Sequence, residues 1–129
     1  MDATFKLLDG IETLLVGDFN FDNSKTSETN IYSKAGYEDQ LTLAGIPDTG
    51  PGSFTKFKTP KQKASRPDKI LYNGQQMQLM AAQIGGKFST PFYKDEKCEM
   101  VEKDGLVRTP SDHLCVLADF KFKWYALDP

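Results

Sequence analysis

The longest regular pattern in this 129-residue chain lies near its end. Over His113–Phe122, the residues Leu114, Val116, Ala118, Phe120 and Phe122 recur at every second position. A period of two places all five on one face of an extended strand. Cys115 and Leu117 fall on the other face, so the first half of this strand is expected to be buried on both sides. Two shorter apolar runs precede it. Thr13-Leu-Leu-Val16 is continuous, as in a strand covered on both faces. Lys69-Ile-Leu-Tyr72 is closed by the turn pair Asn73-Gly74. A chain with three such strands has to build a sheet and cover it.

The covering elements are shorter. Residues 2–9 read as a helix with Leu7, Leu8 and Ile11 near one face and Gly10 placed to end it. Tyr37, Leu41 and Ala44 have helical spacing between Gly36 and Gly45 and suggest a second helix. Pro47-Asp-Thr-Gly-Pro-Gly52 is turn chemistry. Ser53–Phe57 reads as a strand, residues 75–84 fit a strand or a helix, and 85–110 read mostly as loop. Residues 23–30 are simply polar. Phe88–Tyr93 and Trp124-Tyr125 read either as ordinary core or edge residues or as cover for an open face.

Several function classes are excluded early. No run approaches the roughly 18 apolar residues that a membrane span needs. Asp2, Asp9 and Glu12 rule out a secretory signal in the first 20 residues. Two cysteines, Cys98 and Cys115, with one histidine make neither a disulfide framework nor a zinc site, and they suit the cytoplasm or nucleus. The net charge of -2 selects no partner. Its distribution is more informative, because Lys56, Lys58, Lys61, Lys63, Arg66 and Lys69 stand against Asp68 alone in one stretch. Such a local field draws anions even to an acidic protein.

Polar residues sit at the ends of the three strands. Gly17-Asp18-Phe19-Asn20 ends the first, Arg66-Pro67-Asp68 opens the second, and Ser111-Asp112-His113 opens the third. A packed sheet could bring together three carboxylates, an amide and an imidazole. That inventory suits phosphoester hydrolysis: oxygen ligands hold Mg²⁺, an Asp orients water, and Asn and His offset charge on phosphoryl oxygens.

Leu14-Leu-Val-Gly-Asp-Phe-Asn20, Arg66-Pro-Asp-Lys-Ile-Leu-Tyr72 and Pro110-Ser-Asp-His-Leu-Cys-Val-Leu117 resemble, in order, three motifs of the endonuclease/exonuclease/phosphatase superfamily. The resemblance implies an α/β (α+β) fold, half of a four-layer α/β/β/α sandwich with a mixed, largely antiparallel sheet. It implies a catalytic set of Asp18, Asn20, Asp68 and His113. In that set Asp18 positions the attacking water, Asn20 binds phosphate or water, Asp68 fixes the tautomer of the imidazole, and His113 contacts the scissile phosphate. Asp112 and Asp18 would hold Mg²⁺ or Mn²⁺. Lys56, Lys58 and Arg66, with Asn20 and His113, would bind substrate.

The resemblance runs from about residue 11 to residue 122, but it matches only the C-terminal half of the family domain. The Asn and principal metal-binding Glu of the first half have no counterpart. Residues 1–129 are therefore expected to be a C-terminal portion whose strands lack a neighbour. Such a portion would be covered by self-association or by the N-terminal half as partner. Among relatives, the motifs look most like the 5′-tyrosyl-DNA phosphodiesterase group, so nucleic acid is the expected substrate. Poly(A) RNA, as in deadenylases, and sphingomyelin or inositol phosphates are the alternatives, as is a non-catalytic binding module.

Overall fold

Two antiparallel sheets organise the computed structural model, which describes residues 2–20, 26–47, 53–57, 63–85, 93–94, 99–100, 102–103, 106–107 and 111–123. In the first sheet, β1 (Leu14–Asp18) pairs with β3 (Asp68–Tyr72), with Leu14 opposite Tyr72 and Asp18 opposite Asp68. The short β2 (Glu38–Asp39) lies on the other side of β3, giving the order β1-β3-β2. The second sheet pairs β4 (Met77–Gly85) with β9 (Cys115–Phe122), and its register slips between Leu79 and Ala81. Three short helices complete an α+β fold: α1 (Asp2–Leu7), α2 (Thr26–Lys34) and α3 (Gln40–Leu43). Two small ladders join β5 (Tyr93–Lys94) to β6 (Glu99–Met100) and β7 (Glu102–Lys103) to β8 (Leu106–Val107). No described helix is long and apolar enough to cross a membrane.

The alternation of side chains along β3 sets the layers. Leu71 is fully buried and packs with Phe5 of α1, Tyr32 of α2 and Tyr37, with Leu15, Phe19 and Ile31 against them. Lys69 shares that face, its ammonium 6.0 Å from the centre of the Tyr32 ring. On the opposite face, the Tyr72 ring meets Phe120 of the second sheet at 6.0 Å. A second cluster, Phe57, Ile84 and Leu114, joins that sheet to Ile46, Phe54 and Ala64. Each such buried apolar side chain contributes about 1.5–3 kcal/mol relative to exposure.

Several expectations give way to this arrangement. β1 is a strand, but Leu14 and Val16 are exposed rather than buried, since β1 is the outer strand of its sheet. β9 is likewise covered on one face only, with Cys115 and Leu117 exposed. In α1 the buried residue is Phe5, and Leu7 and Ile11 face solvent. The helix expected between Gly36 and Gly45 shrinks to α3, because Glu38–Asp39 pairs with β3 first. Both glycines instead end helices: each has a positive φ, and the residue after each donates to a carbonyl five back, Tyr32 and Leu41 respectively. Residues 53–57 form isolated bridges rather than a strand. Within 75–84 the strand wins over the helix. Trp124 and Tyr125 lie outside the described residues.

A buried charge cluster ties these layers together. Asp39 caps α3, its Oδ1 accepting from the Leu41 amide at 3.0 Å. Its Oδ2 lies 3.0 Å from Arg66 Nη1 and 3.7 Å from Lys69 Nζ. Arg66 also donates to Thr42 Oγ1 at 2.9 Å, and Lys69 to the Arg66 carbonyl at 3.3 Å. Removing one partner of a buried pair strands the other, at a cost of about 3–5 kcal/mol. Asp39→Asn keeps the cap and removes the charge, so its unfolding free energy from urea titration should fall by an amount in that range.

A second tie lies at the far end of β3. Tyr72 donates its hydroxyl to Glu12, which also accepts from the Gln76 amide at 2.9 Å. Asn73 reaches back to the Ile11 carbonyl at 2.8 Å. The Tyr72 and Gln76 donors hold the Glu12 carboxyl below its ordinary pKa. Burial first, and then the bond to Glu12, push the Tyr72 phenol above 10.0. The folded state therefore favours ionised Glu12, a stabilisation lost as pH falls from about 4.5 through the lowered value. It also favours neutral Tyr72, a stabilisation lost as pH rises past 10.0. In thermal melts against pH, Glu12→Gln should flatten the acid limb and leave most of the alkaline limb.

Candidate active site

The register that pairs Asp18 with Asp68 places the end of β1 beside the start of β3. One further bond, from the Phe19 amide to the Pro67 carbonyl at 3.0 Å, extends that alignment past the strand ends. The third segment is delivered by residues 53–57, which lie between two chains like a splint. On one side the Thr55 and Lys56 amides donate to the Ser65 carbonyl, both at 2.9 Å. On the other, the Phe57 amide donates to the Asp112 carbonyl at 2.9 Å, and the Leu114 amide to the Thr55 carbonyl at 2.6 Å. His113 is thereby fixed just before β9, against Asp68.

The side chains form an ordered chain from interior to solvent. Thr55 is fully buried and donates its hydroxyl to Asp68 Oδ2 at 2.6 Å. The same oxygen lies 2.7 Å from His113 Nδ1. The other ring nitrogen, Nε2, is 3.9 Å from Asp18 Oδ2 and 3.9 Å from Asp112 Oδ1. Side-chain exposure rises outward, from 14% for Asp68 and 22% for His113 to 38% for Asp18 and 53% for Asp112. An Nδ1–H donated to Asp68 turns Nε2 toward the open end. Ser111 Oγ accepts from the His113 amide at 3.0 Å and shapes the approach to β9.

Asn20 lies on the turn that leaves β1. Its amide donates to Asp18 Oδ1 at 2.9 Å, and its φ is +53°. Asn is among the few L-residues that tolerate this backbone region, because its side chain bonds locally.

The structure thus brings Asp18, Asp68, Asp112 and His113 together, with Asn20 next to them in the chain. Lys56 is half-buried within the splint. Lys58 and Lys61 lie outside the described residues. Arg66 departs from the expected substrate contact: it is 1% exposed and held by Asp39 and Thr42. Basic residues in a loop-like stretch read as surface, and only the buried Asp39 turns this one inward. The contact from Thr55 to Asp68 was not read from the sequence. Its only signal is a hydroxyl residue in the Gly52–Lys56 stretch.

Ligand atoms of Asp18, Asp68 and His113 lie within 4.8 Å of one another. Asp68 Oδ2 and His113 Nδ1 are already spent on each other, so Asp18 is the member of this group left open, with the exposed carboxylate of Asp112 beside the same ring nitrogen, Nε2. Two carboxylates beside one imidazole nitrogen repel a phosphate unless positive charge is added. Magnesium is commonly held by one or two carboxylates plus water and substrate phosphate oxygens, and Asp18 and Asp112 are the residues here that would hold it in that mode. No protein-family model, curated protein or solved structure matches the chain significantly.

The left-handed turn can be tested by itself. Asn20→Ala should lower stability by about 1 kcal/mol in urea unfolding. Asn20→Gly, which adopts that φ freely, should leave the midpoint nearly unchanged.

Proposed function

We propose that this chain carries the site of a metal-dependent phosphodiesterase. In this reading it is the C-terminal half of an α/β/β/α domain of the endonuclease/exonuclease/phosphatase kind. The observation that supports it best is the imidazole of His113, fixed through Nδ1 by Asp68 and set at Nε2 between Asp18 and Asp112. A fixed, charge-flanked imidazole suits a contact to phosphate better than a mobile base does.

Each residue then has a task. With both ring nitrogens carrying protons, His113 Nδ1–H bonds Asp68 while Nε2–H donates to a non-bridging phosphoryl oxygen, and the side-chain amide of Asn20 donates to the same group. Asp18 accepts a hydrogen bond from the attacking water and aligns its oxygen with phosphorus. As the new P–O bond forms, the water gives up a proton by way of Asp18 to solvent, the bond to the leaving oxygen breaks, and that oxygen takes a proton from solvent. Asp18 and Asp112 would hold Mg²⁺ or Mn²⁺, which when bound would supply positive charge against the phosphoryl oxygens. Asp18 and Asp112 are open to solvent, so the site accepts a phosphodiester within a large molecule. Lysines of the 56–69 stretch favour a nucleic-acid backbone. A DNA end bearing a 5′-tyrosyl adduct is the proposed substrate, which would place the activity in DNA repair.

The exposed Leu14 and Val16 favour a second reading, in which β1 docks a partner. That partner is a second copy or the N-terminal half of the domain, and the chain alone is then a binding module.

The test is hydrolysis of bis-p-nitrophenyl phosphate and of a labelled 5′-tyrosyl oligonucleotide with Mg²⁺, Mn²⁺ or EDTA. Turnover should need the metal and fall by at least about 10²-fold in His113→Ala and Asp18→Asn. Turnover that survives EDTA, or that is equal in His113→Ala, overturns the proposal.

A further inference from the structure

We infer that Thr55 is a positioning residue for His113, acting through Asp68; this rests on the phosphodiesterase reading of the site. The Thr55 hydroxyl and His113 Nδ1 both approach a single oxygen, Asp68 Oδ2, at 2.6 and 2.7 Å. An aspartate at a strand end can turn its carboxylate about the last side-chain bond, a broad and soft rotation. The Thr55 donor removes that freedom by occupying one lone-pair direction of Oδ2 and leaving the other to the imidazole.

Thr55 is itself held on every side. Its amide donates to Ser65 and its carbonyl accepts from Leu114, so its backbone is tied to both flanking chains. Its branched side chain has few rotamers and is fully buried. A hydroxyl buried in this way needs a partner, and Asp68 is the partner it has. The imidazole therefore sits at the end of a relay whose first member cannot move. The consequence is chemical as well as steric: Asp68 Oδ2 stays aimed at Nδ1, the ring keeps its proton there when neutral, and Nε2 stays aimed between Asp18 and Asp112.

A merely space-filling Thr55 would give the same fold, so the test must read the ring. His113 is the only histidine of the chain, and a ¹⁵N-labelled sample therefore shows one pair of ring nitrogens. With the imidazole neutral, the wild-type spectrum should show Nδ1 protonated. Thr55→Val keeps the branched shape without the hydroxyl, and its spectrum should move toward the Nε2-protonated form. On bis-p-nitrophenyl phosphate its kcat should fall roughly tenfold with KM unchanged, as expected for one lost hydrogen bond. Thr55→Ser, which keeps the hydroxyl, should restore both the spectrum and kcat.

A folded Thr55→Val protein with the wild-type ring spectrum overturns the inference. If Thr55→Val does not fold, the wild-type protein decides. A slowly exchanging Thr55 hydroxyl proton with a through-space contact to the His113 ring supports the inference, and a freely exchanging one overturns it. Wild-type protein without turnover removes the phosphodiesterase reading instead, and the ring spectrum still decides the role of Thr55.

Discussion

The carboxylate of Asp39 is the interaction on which the rest of the arrangement depends. It holds two cations, Arg66 and Lys69, that are almost fully excluded from solvent, and it caps α3 with its other oxygen. Burying a charge without a partner costs several kcal/mol per ion, so neither side chain could point inward without it. Both lie on the stretch of chain that carries Asp68. Within β3, with Lys69 drawn toward Asp39 and the Tyr32 ring, the alternation of an extended strand leaves Asp68 on the opposite side, facing His113. One buried anion thus sets the position of another carboxylate that it does not touch.

From Asp68 outward, the environment changes quickly over a few ångströms. Thr55 is sealed in the core, Asp68 and His113 are partly covered, and Asp18 and Asp112 stand in solvent. The inner hydrogen bonds are shielded from water and hold their geometry. The outer carboxylates keep their hydration and, in the proposed reading, can exchange a water for a cation. That gradient separates two tasks that would otherwise conflict, namely fixing the imidazole and admitting a charged ligand. The same openness extends along β1, where Leu14 and Val16 remain uncovered beside Asp18. A partner seated on β1 would therefore lie at the edge of the site.

Much of this was readable from the chain, and the failures have physical causes. The alternation over His113–Phe122 and the apolar runs at 14–16 and 69–72 mark β9, β1 and β3, because side-chain period is a local property. Their polar ends mark Asp18, Asp68 and His113 for the same reason. Two-sided burial of β1 and β9 was not readable correctly, because it depends on neighbouring strands and not on the strand itself. α2 was hidden because Thr26–Lys34 offers only Ile31 and Tyr32 to a core, too few for a helical stripe. Arg66 was misplaced because a basic residue in a basic stretch reads as surface until its buried partner, far away in sequence, is known. The contact of Thr55 with Asp68 spans 13 residues and leaves no periodic trace.

The central claim is that three distant segments form one cation-assisted phosphate site, and Mn²⁺ titration of the ¹⁵N-labelled protein tests it most directly. Paramagnetic broadening falls off steeply with distance. The account predicts that amide signals of Asp18–Asn20 and Ser111–His113 vanish together at the first additions of Mn²⁺, with those around buried Asp39 unaffected. Broadening of one segment without the other, or broadening centred on a different acidic surface, would contradict it.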